Sequence, residues 1–197
     1  MVAEKIGSSQ RIRELDRRFA LLLQNRRQMH QLIEANIFFL DQAERLLEKV
    51  EDEQYACSVG EFYGSTVGQH LRHCLDHYFS LLSGLEAARI DYDQRERAEP
   101  LESKTGEAIA EVSRIREGLQ NIIEDDVPVG VLVKMDCGGD QEEWQPSTLG
   151  RELQFLVSHT VHHFAMIGGM CSCLKIEMEK GFGVAPSTLK FRELAEH

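Results

Sequence analysis

Apolar residues recur at three- and four-residue steps along most of this chain, the spacing that lets a helix bury one face. In the proline-free stretch from about Arg11 to Val50, one stripe is traced by Leu32, Ile33, Ile37, Phe38, Leu40, Ala43, Leu46, Leu47 and Val50. A weaker repeat (Ile12, Leu15, Phe19, Leu22, Leu23) precedes it, as a separate short helix or as an extension of the same one. Glu53 to Ser65 contains Gly60 and Gly64 and reads as a loop. Thr66 followed three residues later by Gln69 has the form of a capping box. The helix it opens is predicted to reach about Ala88, with Val67, Leu71, Cys74, Leu75, Tyr78, Leu81, Leu82 and Leu85 on one side. A charged connector, IDYDQRERAEPLES, is broken by Pro100, and a third helix is predicted over about Leu101 to Asp125.

Between Val127 and Ser147 the pattern changes. VGVLVKMD is rich in β-branched residues and CGGD is a turn signal, so a short hairpin is expected there. The last long helix is predicted from Ser147 or Thr148 to about Lys180, with Leu149, Leu153, Leu156, Ile167, Met170 and Leu174 as its stripe. The tail after Gly181 reads as irregular. These elements predict an all-α fold: one domain over residues 1–197, a four-helix bundle with long connections, non-trivial threading and a short β-hairpin inserted before the last helix.

Composition narrows the function. The 197 residues carry a formal net charge of −11, which disfavours a phosphate backbone as partner, so no nucleic-acid role is expected. No apolar run approaches the ~20 residues of a membrane-spanning helix, and the first residues lack the apolar core of a signal peptide. Five scattered cysteines fit a reducing compartment better than a disulfide framework, and cytoplasmic residence is the expectation. Cys171 and Cys173 are too closely spaced for the usual redox or zinc pair and are read as facing different ways on a helix.

Six of the eight histidines fall in two windows, His70, His73 and His77 in QHLRHCLDHY and His159, His162 and His163 in SHTVHHF. Residues four apart on a helix share a face, so His159 and His163 can converge on one ion. Both lie in register with Leu156 and Ile167, and buried imidazoles without partners are costly. A lone histidine on a helix is more often a surface or satisfied core residue than a ligand. Two clusters on two helices point instead to a three-imidazole metal site with open positions. On an ideal wheel His70 lies nearest the apolar stripe of its helix, with His73 and His77 further round. His162 faces away from the His159–His163 pair.

The Ser65-Thr66-Val67 stretch leading through Leu71 to His73, together with His159-x-x-His162-His163, resembles the DinB/YfiT-like metal-binding four-helix bundles. The order and separation of the two motifs match over most of the chain. The resemblance implies metal ligands at His73, His159 and His163, with His70 as the rival to His73. The chain departs from the family pattern at His77, where an acidic residue often falls nearby, and over Phe164 to Ile167, where many members carry a glutamine. The family is functionally mixed. It includes thiol-dependent transferases and isomerases that use low-molecular-weight thiols, and proteins known only to bind metal.

The resemblance therefore implies a divalent transition metal, zinc or nickel first, and a thiol cosubstrate. The expected function is a metal-dependent thiol transferase or hydrolase acting on a small molecule, or a non-catalytic metal-stabilised bundle. A homodimer is plausible by the same analogy. In the connector, Arg95 and Arg97 beside Tyr92 can form a bidentate clamp for a substrate or thiol carboxylate, though a solvated, salt-bridged loop is the plainer reading. Glu152, two turns before His159, is a candidate outer acceptor for an imidazole N–H. There is no phosphate loop, and no cysteine has the paired base of a nucleophile.

Overall fold

The computed structural model describes residues 2–94, 99–124, 127–135 and 143–195. Four long helices make the bundle: α1 (Val2–Leu47), α3 (Val67–Gly84), α5 (Thr105–Glu124) and α6 (Leu149–Cys173). Shorter helices are α2 (Asp52–Tyr55), α4 (Pro100–Ser103) and α7 (Pro186–Ala195), with a 3-10 turn at Gly60–Phe62. The weak early repeat belongs to α1, which is one continuous helix of 46 residues. Helix α3 packs on α6 and α5, while α1 packs on α5 and α6. The helices therefore follow one another around the bundle as α1, α5, α3, α6, with α1 and α3 on one diagonal.

The capping box at the head of α3 is formed. The Gln69 N–H donates to the Thr66 hydroxyl at 3.0 Å, and the Thr66 N–H to Gln69 Oε1 at 3.2 Å. Thr148 caps α6 in the same manner, accepting from the Arg151 N–H at 3.2 Å. Leucines and isoleucines of all four helices fill the core, among them Leu40, Leu71, Leu81, Ile115, Leu119, Leu153 and Ile167. Each contributes on the order of 1.5–3 kcal/mol by leaving water. One predicted core position is displaced: Phe38 is 37% exposed, and its neighbour Phe39 is the buried ring.

Polar groups cross the core where α1, α3 and α6 meet. The Tyr78 hydroxyl donates to Asn36 Oδ1 at 2.9 Å, and Asn36 Nδ2 donates to the carbonyls of Leu32 and Leu153. The Tyr78 oxygen also lies 3.1 Å from the Thr160 hydroxyl. Buried groups satisfied in this way hold the helix register that apolar contacts alone leave loose.

The expected hairpin is present as β2 (Gly130–Lys134) paired antiparallel with β3 (Gln145–Thr148). Its predicted CGGD turn lies outside the described residues. The all-helical expectation needs one amendment. A further strand, β1 (Arg89–Asp91), runs parallel to β2, so the sheet has three strands in the order β1-β2-β3. Ile90 is its one fully buried side chain, and β1 passes the end of α3 so closely that a Cβ on Gly84 would stand 2.3 Å from the Arg89 carbonyl oxygen.

Two stretches read as unstructured are ordered. Residues 52–55 and 60–62 form helical turns, and α7 replaces the irregular tail. The segment before α7 docks on the bundle. Phe182 stacks on Phe164 with ring centroids 4.9 Å apart, the Gly183 N–H donates to Gln42, and Arg45 makes a bidentate pair with Glu179.

Candidate metal centre

The two histidine windows lie on α3 and α6, which pack antiparallel, so their imidazoles interleave as a ladder. At one end His70 and His163 meet, Nδ1 to Nδ1, at 2.9 Å. In the middle the His73 ring lies 4.7 Å from that of His163 and 4.9 Å from that of His159. At the other end His77 lies 4.2 Å from His159 and 4.6 Å from His73. His159 and His163 are themselves 4.6 Å apart, centroid to centroid. The structure thus brings His73, His159 and His163 together and adds His70 and His77 at the two ends. His162 is exposed on the outer side of α6, as its place on the helix implies.

One ring nitrogen from each of His73, His77 and His159 lies within 4.8 Å of the others. The motif singles out His163 where this compact triple has His77. A signal for His77 exists in the sequence, since it stands four residues after His73 just as His163 stands four after His159. His77 is buried, whereas His70, His73, His159 and His163 are half-buried.

Geometry fixes the protonated nitrogen of one of these rings. His77 Nδ1 lies 2.8 Å from the His73 carbonyl oxygen. A carbonyl only accepts, so this nitrogen carries the proton and the lone pair of the neutral ring is on Nε2. In the His70–His163 pair one Nδ1 donates and the other accepts, so His163 offers an Nε2 lone pair when it is the donor. Burial lowers the pKa of both members. His163 is pushed down to about 4, with a further contribution from His70, His162 and His77, and His70 is lowered by burial and by His162. Near neutral pH these imidazoles are therefore uncharged donors, as a borderline divalent ion requires. The donor set fits zinc, nickel or copper.

An aromatic wall closes the His77 end. Tyr92 stacks on His77 with centroids 5.4 Å apart, and Phe155 lies 5.3 Å from Tyr92 and 5.5 Å from His159. The Tyr92 hydroxyl donates to Glu152 at 3.0 Å, and the Ser147 hydroxyl donates to the other carboxylate oxygen. Glu152, the candidate outer acceptor, is 6% exposed and reaches the cluster through the Tyr92 hydroxyl. Pattern alone assigns neither Tyr92 nor Phe155 to the metal centre, because neither carries a metal-ligand signature.

Arg72 pairs with Asp76 and Glu102 at 2.6 and 2.7 Å, tying α3 to α4. The Arg151 side chain is exposed. Arg95 and Arg97 lie outside the described residues. Burial raises the Cys74 thiol well above its ordinary range and pushes Cys171 up to about 11, so both are inert small hydrophobes. Cys173, two residues on, is exposed, in line with the expected difference in facing.

A family model of the DinB superfamily matches residues 39–167, a span that contains both histidine windows. The chain belongs to the DinB superfamily. A curated relative, FK506-binding protein 5 of Rhizopus delemar, is 30% identical over 103 residues, which is 51% of this chain and 27% of that protein. The chain therefore aligns with about a quarter of the relative's length. No solved structure matches it.

Proposed function

We propose that this chain is a metal-dependent enzyme acting on a small molecule, with His73, His159 and His163 as ligands of a zinc or nickel ion. The observation that carries the reading is a row of imidazoles that pack ring against ring while His73, His159 and His163 keep part of their surface open to solvent. Such a centre leaves a coordination position for substrate, unlike a closed structural site. A bound divalent ion supplies Lewis acidity that lowers the pKa of a thiol or water.

The chain's own residues do the rest. In the tautomer in which His163 donates its Nδ1–H to His70, Nε2 of His163 is left for the ion and His70 has an outer role rather than that of a ligand. Tyr92 and Phe155 give one side of the centre an apolar wall. Arg95 and Arg97 clamp the carboxylate of a low-molecular-weight thiol or of the substrate. Thiol transfer to an electrophile and hydrolysis are the two reactions this arrangement serves. The described free thiols, the acidic surface and the lack of any described helix long and apolar enough to cross a membrane support a cytoplasmic protein, as a monomer or homodimer, with no nucleic-acid partner.

Metal analysis of tag-free protein, followed by assay with a panel of thiols and electrophiles, tests the reading. The expected result is a bound transition metal and turnover that disappears with chelation. Protein that contains no metal and takes up neither zinc nor nickel overturns it. Bound metal without turnover across the panel favours the non-catalytic, metal-stabilised bundle.

A further inference from the structure

The histidine ladder holds one buried imidazole that the family motif leaves out. We infer that His77 is a ligand of the same ion as His73 and His159, an inference that rests on the metal-binding reading above. The closest grouping of potential donor nitrogens among the described residues, within 4.8 Å, is His73, His77 and His159. The His77 Nδ1–H is committed to the His73 carbonyl at 2.8 Å, which puts the coordinating lone pair on Nε2. Metal-binding imidazoles are held in this way, by an outer hydrogen bond from the second nitrogen.

The ring is also fixed in place. It is 4% exposed and stacked on Tyr92, whose hydroxyl is anchored on the buried carboxylate of Glu152. Locked rotamers of this kind are what a ligand position requires. A packed structural histidine would share the burial and the stacking. It would not need to approach two other imidazoles on two helices.

The ladder contains two overlapping triples, His73/His159/His163 and His73/His77/His159, with two members in common. Among the described residues no carboxylate belongs to the compact triple, two dications at this spacing would repel each other strongly, and one ion is expected. With His163 also bound, that ion has four imidazoles. Tetrahedral zinc is then saturated, whereas nickel(II) or copper(II) in tetragonal geometry keeps a position for substrate. His77 thus turns the selectivity of the centre toward tetragonal ions.

The test uses the full chain, stripped of metal and loaded with copper(II), with nitrogen hyperfine coupling in the electron paramagnetic resonance spectrum as the count of bound imidazoles. His77→Ala is expected to lose one coupled imidazole. It should also weaken copper(II) by more than the ~10- to 100-fold that loss of an outer hydrogen bond costs. Should the variant misfold, isotope-labelled histidine NMR of the wild type during zinc titration supplies the same answer, with the His77 Nε2 resonance expected to shift along with those of His73 and His159. An unchanged nitrogen count and affinity in a folded His77→Ala, or a stationary His77 resonance in metal-loaded wild type, overturns this inference and leaves the functional proposal standing. Wild type that binds neither copper nor zinc overturns both.

Discussion

The ring of His77 lies on the ring of Tyr92, centroids 5.4 Å apart and planes 25° from parallel. Through the tyrosine hydroxyl the contact continues to Glu152 on α6, so a residue just beyond β1 joins both histidine-bearing helices. Tyr92→Phe keeps the stacking and removes the donor. The loss of a hydrogen bond to a buried carboxylate is expected to cost ~1.5–3 kcal/mol, read as a lower urea midpoint at unchanged m-value. Metal affinity should fall by no more than ~10-fold, since the outer bond acts on a ring that stays in place. An unchanged midpoint would mean that the bond adds nothing to stability.

Metal should stabilise the fold by mass action. An ion that binds the native chain alone and is present at 100 times its Kd adds ~2.7 kcal/mol. Thermal melts with zinc or nickel should therefore run several degrees above melts in chelator. In His159→Ala the gap should close, because His159 belongs to both overlapping triples. A gap of wild-type size in that variant would remove His159 from the ligand set.

Acid should unfold the metal-free protein through His163. Its folded pKa, about 4, is below the ordinary 6.5, so between these values the unfolded chain binds more protons than the native one. Stability then rises with pH across this window and is lost as pH falls from 6.5 toward 4. Denaturation of apo protein as a function of pH should show this slope, with a shallower one in His163→Gln. Equal slopes would place the acid sensitivity elsewhere.

Gly84 admits β1 beside the end of α3. A methyl group there meets the Arg89 carbonyl oxygen at 2.3 Å, and backbone on both sides limits how far either can yield. Gly84→Ala is expected to cost ~1–3 kcal/mol, in the range of overpacked sites, and to speed amide exchange in β1. Wild-type stability and exchange in that variant would show that the strand can shift freely.

The parts of this molecule that depend on local spacing are legible in the sequence. The capping box of Thr66 and Gln69, the buried stripe of α6 and the convergence of His159 with His163 all follow from residues three or four apart. Elements created by distant partners could not. Ile90 is one apolar residue in a charged run, and it becomes a strand because β2, some forty residues later, supplies the hydrogen bonds. Helix α7 gives no stripe to read, since Phe191 and Leu194 remain about 70% exposed. At the metal centre, wheel geometry ranked the histidines of α3 by distance from the apolar stripe, with His70 first. The facing helix decides differently, placing His70 against His163 and His77 against His159. Tyr92 enters the cluster only because β1 carries it there.

The small sheet has a consequence for the histidines. β1 is the chain leaving α3 and β3 is the chain entering α6, and β2 is hydrogen-bonded to both. The two helices that carry the imidazoles are thus yoked by main-chain bonds at the end of the ladder nearer His77. The separation of the facing rings is inherited from the yoke rather than gathered by the ion. Coordination then demands little ordering of the backbone, and the metal-free and metal-loaded chains should superimpose at this end of the bundle.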